Sequence, residues 1–210
     1  MSSGDIIEKW ENLADEKSIE RTVSALKANG IDAFVVENGK DAKKKVLELL
    51  PEGAEVMSMT STTLDTIDLS NEILGLGKFN PVRKKLMSMD RNTQGSEMRR
   101  LGAAPEWTVG SVHAVTEDGH VLIASNSGSQ LPAYAYGAGY VIWIVGAQKI
   151  VKNTEEGIKR IYEHSLPLES ERAKKAYGVP GSAVNKMLIV NKEIIPGRIT
   201  MILVKEKLGF

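Results

Sequence analysis

The amino-acid sequence predicts an α/β domain in which helices cover both faces of a mostly parallel sheet and antiparallel hairpins are added. Residues 32–59 alternate strand, helix and strand with short connections, and such units form parallel sheets. Residues 140–145 are apolar throughout, as in a central parallel strand that is buried on both faces. Between two apolar stretches, Asp118 and Gly119 form a turn dipeptide that is typical of a hairpin.

The N-terminal half of the chain is predicted to be rich in helices. Gly30 ends one of them and Pro51 ends another, for which Asp41 is the predicted cap. The predicted helices cover residues 6–12, 18–29, 42–50, 64–76, 81–89 and 94–101, and the predicted strands cover residues 32–36 and 54–59. We expect residues 1–17 to form a helical extension and residues 18–210 to form a single domain.

The C-terminal half is predicted to combine hairpins with further helices. The predicted strands cover residues 107–116, 120–124, 140–145, 185–190 and 199–204, and the predicted helices cover residues 131–139, 154–163 and 168–177. Thr154 is the expected cap of its helix, and the last two strands are expected to pair as a hairpin through Pro196 and Gly197. One sheet should contain Val35, Val56, Val109 and Ile142.

Composition excludes several classes of protein. The chain carries 27 basic and 27 acidic residues, so it lacks the basic excess of a dedicated nucleic-acid binder. It has no cysteine, which excludes disulfides, thiolate nucleophiles and cysteine-ligated iron–sulfur clusters. Its three histidines lack metal-ligand spacing, and no nucleotide-binding glycine motif is present, so we expect no metal and no cofactor. No apolar run suggests a membrane span and no signal peptide is evident, so a cytoplasmic location is expected.

Small polar residues and one lysine follow predicted strands, where α/β folds bind ligands. Thr60, Ser61 and Thr62 come after the strand 54–59, and their hydroxyls could hold an anion or cap the next helix. Lys149 comes after the buried strand 140–145, where its amine could meet an anion or leave the core for water. We expect these segments, the loop described next and Glu117 of the adjoining hairpin to line one pocket at the carboxyl ends of the parallel strands.

A polar loop follows the predicted strand 120–124. Loops of this composition expose hydroxyls and N–H groups that cradle a phosphate or a carboxylate, although a rigid structural loop has the same composition. Its residues are Ser125, Asn126, Ser127, Gly128, Ser129 and Gln130. Glu117, at the tip of the same hairpin, is a candidate for binding a hydroxyl or carbonyl group of the ligand, or else a solvated turn residue.

Three stretches of the sequence closely resemble the LUD domain family, the lactate-utilisation family also known as LutC/YkgG-like. They are VHAVTEDGHVLIASNSGSQ at 112–130, YVIWIVGAQKIV at 140–151 and PLESERAKKAYGVPGSAVNK at 167–186. The resemblance extends from about residue 18 to residue 210. It implies a three-layer α/β/α fold similar to the NagB/RpiA/CoA-transferase superfamily. It also points to Arg172 and Lys186, and it compares Glu117-Asp118-Gly119 with the Glu-x-Gly setting of the CoA-transferase nucleophile.

The resemblance leads to two hypotheses on function. The first is an accessory or ligand-binding subunit that takes a small anionic metabolite and works with iron–sulfur partner proteins in the oxidation of L-lactate to pyruvate. The second is a stand-alone enzyme of the isomerase or CoA-transferase type, with Glu117 as catalytic residue and a phosphorylated or CoA-linked substrate. Both are compatible with a homo-oligomer.

Overall fold

The computed structural model describes residues 9–75 and 77–210 of the chain. Its strands are β1 (Asp32–Val36), β2 (Glu55–Ser58), β3 (Asn80–Pro81), β4 (Trp107–Gly110), β5 (Ala114–Thr116), β6 (Val121–Ser125), β7 (Tyr140–Gly146), β8 (Ile150–Val151), β9 (Lys186–Val190) and β10 (Ile199–Val204). Its α-helices are α1 (Glu16–Ala28), α2 (Gly39–Leu49), α3 (Thr62–Thr66), α4 (Leu69–Gly75), α5 (Val82–Met87), α6 (Arg91–Ala103), α7 (Thr154–Arg160) and α8 (Leu166–Tyr177). Short π-helical segments cover Ala133–Gly137 and Ile161–Ser165, and a 3₁₀ turn covers Ala147–Lys149.

The strands form two sheets. The first is six-stranded in the order β1-β10-β7-β4-β2-β3, and every neighbouring pair in it is parallel. The second has the order β8-β5-β6-β9; its β5–β6 and β6–β9 pairs are antiparallel, and its β5–β8 pair is parallel. Val35, Val56, Val109 and Ile142 all lie in the first sheet, as predicted.

Both faces of the first sheet are buried, which explains the continuous apolar sequence of β7. On one face, α2, α3 and α4 contribute Val46, Leu64 and Ile73 to a core with Ile144 and Ile202. On the other face, Leu26 of α1 and Ile123 of the second sheet pack in a core with Trp143 and Met201. The outer face of the second sheet is covered in turn by Ile158 of α7 and Ile161. The predicted α/β fold with helices on both sides of a mostly parallel sheet is therefore confirmed.

The predicted strand 107–116 is wrong in one respect: it is two strands that belong to different sheets. The chain leaves the first sheet after Gly110 and enters the second at Ala114. A side chain at Gly110 would collide with the buried hydroxyl of Tyr134, so the chain passes this point only with glycine. Ser111, Val112 and His113 form the connection, and they lie at the carboxyl edge of the first sheet.

The predicted hairpin between residues 185–190 and 199–204 is also wrong. β9 pairs with β6 in the second sheet, whereas β10 lies between β1 and β7 in the first. The loop between them is held by Arg198, which is buried and donates hydrogen bonds to the carbonyls of Ala133, Tyr134 and Ala138. These contacts fix the start of β10 against a distant segment and override the local turn signal at Pro196-Gly197.

Helix ends differ from the predictions for local reasons. The predicted helix 64–76 is divided into α3 and α4, because Asp68 adopts a left-handed backbone with φ of 54°. Asn38 caps α2 and Asn153 caps α7, in place of the predicted Asp41 and Thr154. The predicted helix 131–139 is a π-helical segment. The predicted helix 6–12 lies largely outside the described residues.

Candidate functional site

A cleft of about 300 Å³ opens at the carboxyl edge of the first sheet. Segments that follow β2, β4 and β7 form its floor, and the loop after β6 forms one wall. Residues of α8 and of the connection to β9 form the opposite wall. Because parallel strands end at the same edge of a sheet, the topology alone brings the three floor segments together.

Hydroxyl groups dominate the segment that follows β2. Thr60, Ser61, Thr62 and Thr63 all line the cleft. Thr63 is fully buried, and its hydroxyl donates a 3.3 Å hydrogen bond to the carbonyl of Leu208. Ser61 precedes α3 but makes no capping hydrogen bond with its side chain. The hydroxyl of Ser61 is therefore not used by the helix end, whereas the hydroxyl of Thr63 is held by the carbonyl of Leu208.

Lys149 lies at the floor of the cleft, with only 1% of its surface exposed. Its Nζ donates to Thr63 Oγ1 at 3.0 Å, to Ser111 Oγ at 3.2 Å and to the carbonyl of Val112 at 3.2 Å. All three acceptors are neutral, and Lys149 makes no ion pair with any described residue. Burial, assisted by the nearby charge of Arg160, lowers the pKa of the Lys149 amine well below its ordinary value.

Arg160 lies behind the floor and is also fully buried. Its Nη1 donates to the carbonyl of His113 at 2.6 Å and to Ser165 Oγ at 3.2 Å. Its Nε and Nη2 atoms have no hydrogen-bond partner within residues 9–75 and 77–210. Burial lowers the pKa of Arg160 to about 10, so the guanidinium stays charged at neutral pH. The floor of the cleft is thus next to a permanent positive charge.

His113 lines the cleft from the connection between the two sheets. Its Nδ1 accepts a 3.1 Å hydrogen bond from the backbone N–H of Ala124. Burial, together with the positive charges of Lys149 and Arg160, lowers the pKa of His113 to about 3. The imidazole is therefore neutral, and because Nδ1 is the acceptor, its proton is on Nε2.

The loop that follows β6 is ordered by its own side chains. Ser125 Oγ accepts from the N–H of Gly128 at 2.8 Å and donates to Gln130 Oε1 at 2.9 Å. Lys186 Nζ donates to the carbonyl of Ser127 at 3.0 Å and packs closely against Gly128, whose φ is 85°. Members of the loop that line the cleft are Ser125, Asn126, Ser127, Ser129 and Gln130.

The outer wall carries an ion pair. Arg172 donates two hydrogen bonds of 2.7 Å to the carboxylate of Glu169, and its guanidinium lies over the ring of Tyr177. All three side chains line the cleft, and the ion pair is partly exposed. The geometry is the two-pronged pairing that arginine forms with any carboxylate.

The structure brings together most of the residues predicted for the site. Thr60, Ser61, Thr62, Lys149 and the loop 125–130 lie around one cleft, where the backbone of Gly128 shapes the loop without lining the cavity. Glu117 lies elsewhere. It sits at the tip of the β5–β6 hairpin, whereas the cleft is at the other end of β6, roughly 15 Å away for a five-residue strand. Arg21 of α1 donates a 2.9 Å hydrogen bond to its carboxylate and lowers the pKa of Glu117.

The cleft also contains side chains that were not predicted from the sequence. Thr63 and Ser111 were not among the predicted site residues, and His113 was interpreted as a residue within a strand. The pair Gly110-Ser111 was the available signal, because glycine inside an apparent strand often marks a break in it. Glu169 lacked such a signal, since charged residues are spread along the whole of α8.

Two negative findings hold for the described parts of the chain. No helix in residues 9–75 and 77–210 is long and apolar enough to cross a membrane. Within the same ranges, no group of three or more histidine, aspartate and glutamate side chains is placed to hold a metal ion.

The family model for the LUD domain matches residues 19–204, which is most of the chain. The chain belongs to the LUD domain family. The matched range contains every residue that lines the cleft except Phe210. The family association of this LUD domain protein is with lactate utilisation.

Two solved structures are similar to this LUD domain. A DUF162 family protein from Deinococcus radiodurans is 10% identical, with a TM-score of 0.57, and the match covers 92% of this chain and 99% of that one. At 10% identity this similarity shows a shared fold and nothing about function. A ribose 5-phosphate isomerase from Plasmodium falciparum is 14% identical with a TM-score of 0.35, over 76% of this chain and 80% of that one. No curated protein matches the sequence.

Proposed function

We propose that this LUD domain protein binds a small anionic metabolite in the cleft, as the ligand-binding component of a lactate-utilisation system. One observation carries the proposal: the buried amine of Lys149 is surrounded by neutral acceptors and faces a cavity lined by hydroxyls. A buried lysine without an anionic partner costs stability, because its amine is either held charged away from water or forced to give up its proton. A lysine placed in this way at the floor of a cavity favours a role in binding, since an anion bound beside the amine would favour its charged form.

The charges around the cavity favour an anion. Arg160 supplies a fixed positive charge behind the floor, and two of its nitrogen atoms have no partner in the described chain. The carboxylate on the outer wall, Glu169, is already neutralised by Arg172. The other acidic side chain of the lining, Asp65, is exposed and accepts a hydrogen bond from Ser70. Neither carboxylate accepts a hydrogen bond from Lys149, so an anion on the floor would meet this amine together with hydroxyl donors.

The size of the cleft favours a small ligand. A volume of about 300 Å³ lies at the lower limit of ordinary small-molecule sites. A short hydroxy acid or oxo acid with one carboxylate fits this volume, and the hydroxyls of Thr60, Ser61 and Ser127 offer partners for its oxygen atoms. In this proposal, electron transfer belongs to iron–sulfur partner proteins, because the chain has no cysteine to ligate a cluster.

Calorimetric titration of the purified protein with L-lactate, pyruvate and inorganic phosphate tests the proposal. We expect at least one of these anions to bind, and Lys149→Met to weaken that binding by about tenfold or more, the loss of a charged contact. Lys152→Met is the matched control, because Lys152 is an exposed lysine three positions along the chain. Equal affinity in wild type and Lys149→Met, with both proteins folded, would contradict the proposal.

A further inference from the structure

We propose that Lys149 forms an imine with the carbonyl carbon of a small oxo acid bound in the cleft. The inference rests on the proposed function and deepens it, because it names the ligand class and a covalent step. The observations that carry it are the hydrogen bonds of Lys149, the fixed tautomer of His113 and the position of both side chains at one cavity.

The surroundings of Lys149 favour a neutral amine, which is the form that attacks a carbonyl. Each of its three hydrogen-bond partners is an uncharged oxygen, so no carboxylate holds the proton on the amine. The neutral amine has two hydrogens for these oxygens and keeps its lone pair for the carbonyl carbon. The charge of Arg160 opposes a second positive charge nearby, and burial has the same effect on the pKa of the amine. Desolvated lysines of this kind are the nucleophiles of enzymes that form Schiff bases.

His113 supplies a hydrogen-bond donor of fixed orientation. Its Nδ1 is engaged by the N–H of Ala124, so its Nε2–H is the group available to the cleft. The lowered pKa of His113 keeps the imidazole uncharged near neutral pH, so Nε2–H acts as a neutral hydrogen-bond donor. A neutral imidazole N–H pointed at a carbonyl oxygen polarises the carbonyl and stabilises negative charge on that oxygen.

The covalent step balances with groups that are present at the floor. The lone pair of Lys149 Nζ attacks the carbonyl carbon, and the carbonyl oxygen takes a proton to give a carbinolamine. Loss of that oxygen as water leaves the imine, so amine and oxo acid yield imine and one water molecule. The hydroxyl of Ser111, which is hydrogen-bonded to Nζ, can take the proton that nitrogen loses while it gives its own proton to the oxygen of the ligand. The hydroxyl of Thr63 is less suited to this transfer, because it already donates to the carbonyl of Leu208.

An oxo acid suits this arrangement better than a simple aldehyde. Once the imine is protonated, it places a positive charge next to the carboxylate of the same ligand. The carboxylate itself is favoured by the guanidinium of Arg160 and by the donor-lined wall at Ser127 and Ser129. The ligand class is therefore a short 2-oxo carboxylate, whose carbonyl and carboxylate are adjacent.

Reductive trapping tests the inference. The full-length protein is incubated with pyruvate and sodium cyanoborohydride, and its intact mass and its peptides are then measured. We expect a mass increase equal to pyruvic acid minus one oxygen atom, located on Lys149, with L-lactate giving no adduct because it has no carbonyl group. Lys149→Met should abolish the adduct. His113→Asn keeps an acceptor for Ala124 and should slow trapping by about tenfold or more without a matching loss of pyruvate binding.

The outcomes separate this inference from the proposed function. If pyruvate binds in the calorimeter but no adduct forms at Lys149, the imine is excluded and anion binding stands. If adducts form on exposed lysines such as Lys152 as readily as on Lys149, the imine is likewise excluded. If neither binding nor trapping occurs with pyruvate, L-lactate or phosphate, both proposals fall.

Discussion

The amine of Lys149 lies 3.0 Å from the hydroxyl of Thr63, and this contact joins elements that are not neighbours in the sheet. Lys149 follows β7 and Thr63 lies in the first turn of α3, which follows β2. Between β7 and β2 runs β4, whose continuation at Ser111 and Val112 supplies the other two acceptors. One nitrogen atom therefore ties together the ends of three parallel strands.

We predict that Lys149→Met raises the free energy of unfolding by at least about 1 kcal/mol, because methionine fills the same space without a buried amine. The pKa of Lys149 is lowered in the folded protein, so stability from this group is present only above the unfolded pKa and is lost as pH falls. At pH 7 the native lysine therefore lowers the free energy of unfolding. Urea unfolding of the two proteins at pH 7 measures the difference, and a less stable Lys149→Met would show that the amine stabilises the fold.

The sequence was sufficient to predict those elements whose apolar pattern is compatible with only one kind of secondary structure. Residues 32–36 are a strand with the predicted ends, and the apolar run from Tyr140 can only be a strand buried on both faces. The change of sheet after Gly110 was not predictable in this way, because β-branched residues continue on both sides of it. The position of β10 depends on Arg198, whose acceptors lie some sixty residues earlier in the chain.

The residues of the candidate site also differ in whether their positions could be predicted from the sequence. Strand ends of a parallel sheet meet by topology, so Thr60, Ser125 and Lys149 could be grouped from sequence alone. Glu117 was grouped with them because it is close in sequence to Ser125, but a hairpin separates its tip from its open end by the length of a strand. The role of His113 depends on its bond to Ala124 across the β5–β6 pair, and such pairing is invisible before the register is known.

We predict that the protein loses stability as pH falls from about 6.5 toward 4. The pKa of His113 is lowered to about 3 and that of His164 to about 4, in both cases first by burial. Between these pH values the unfolded chain binds protons that the folded chain does not. Each histidine therefore lowers the free energy of unfolding by up to about 1.4 kcal/mol for every pH unit. Above pH 6.5 the stability from both groups is fully present.

Melting temperatures measured between pH 4 and 7 check the histidine prediction. His113→Asn should reduce the slope of the melting temperature against pH, because asparagine retains an acceptor for the N–H of Ala124 but cannot titrate in this range. His120→Asn, at the partly exposed tip of the hairpin, is the control. A slope that is the same in His113→Asn as in wild type would contradict the assignment.

We predict that Gly110→Ala destabilises the protein by roughly 1–3 kcal/mol, the usual cost of adding an atom to a filled core. The new methyl group would meet the hydroxyl of Tyr134, a buried side chain that packs edge-on against Trp143. Gly102→Ala, in the exposed helix α6, meets nothing and should stabilise by about 0.5–1 kcal/mol. Thermal unfolding of both variants tests the contrast, and Tyr134→Phe in the Gly110→Ala background should recover part of the loss.

We predict that Glu117→Gln leaves both the affinity for anions and the melting temperature almost unchanged. The carboxylate is bound by Arg21 on the surface and lies outside the cleft, and an exposed ion pair contributes little to stability. Calorimetric titration with the same anions, alongside thermal unfolding, measures both quantities. A large loss of affinity in a folded Glu117→Gln protein would show that the hairpin tip takes part in binding.

The passage of the chain from one sheet to the other at Ser111, Val112 and His113 has a mechanical consequence. These residues are at once one of the covalent connections between the two sheets and part of the cleft floor. Any sliding of one sheet over the other must therefore deform the cavity, and any molecule that fills the cavity resists that sliding. A ligand only a few atoms across would then slow amide hydrogen exchange in strands of both sheets, including strands that it does not touch.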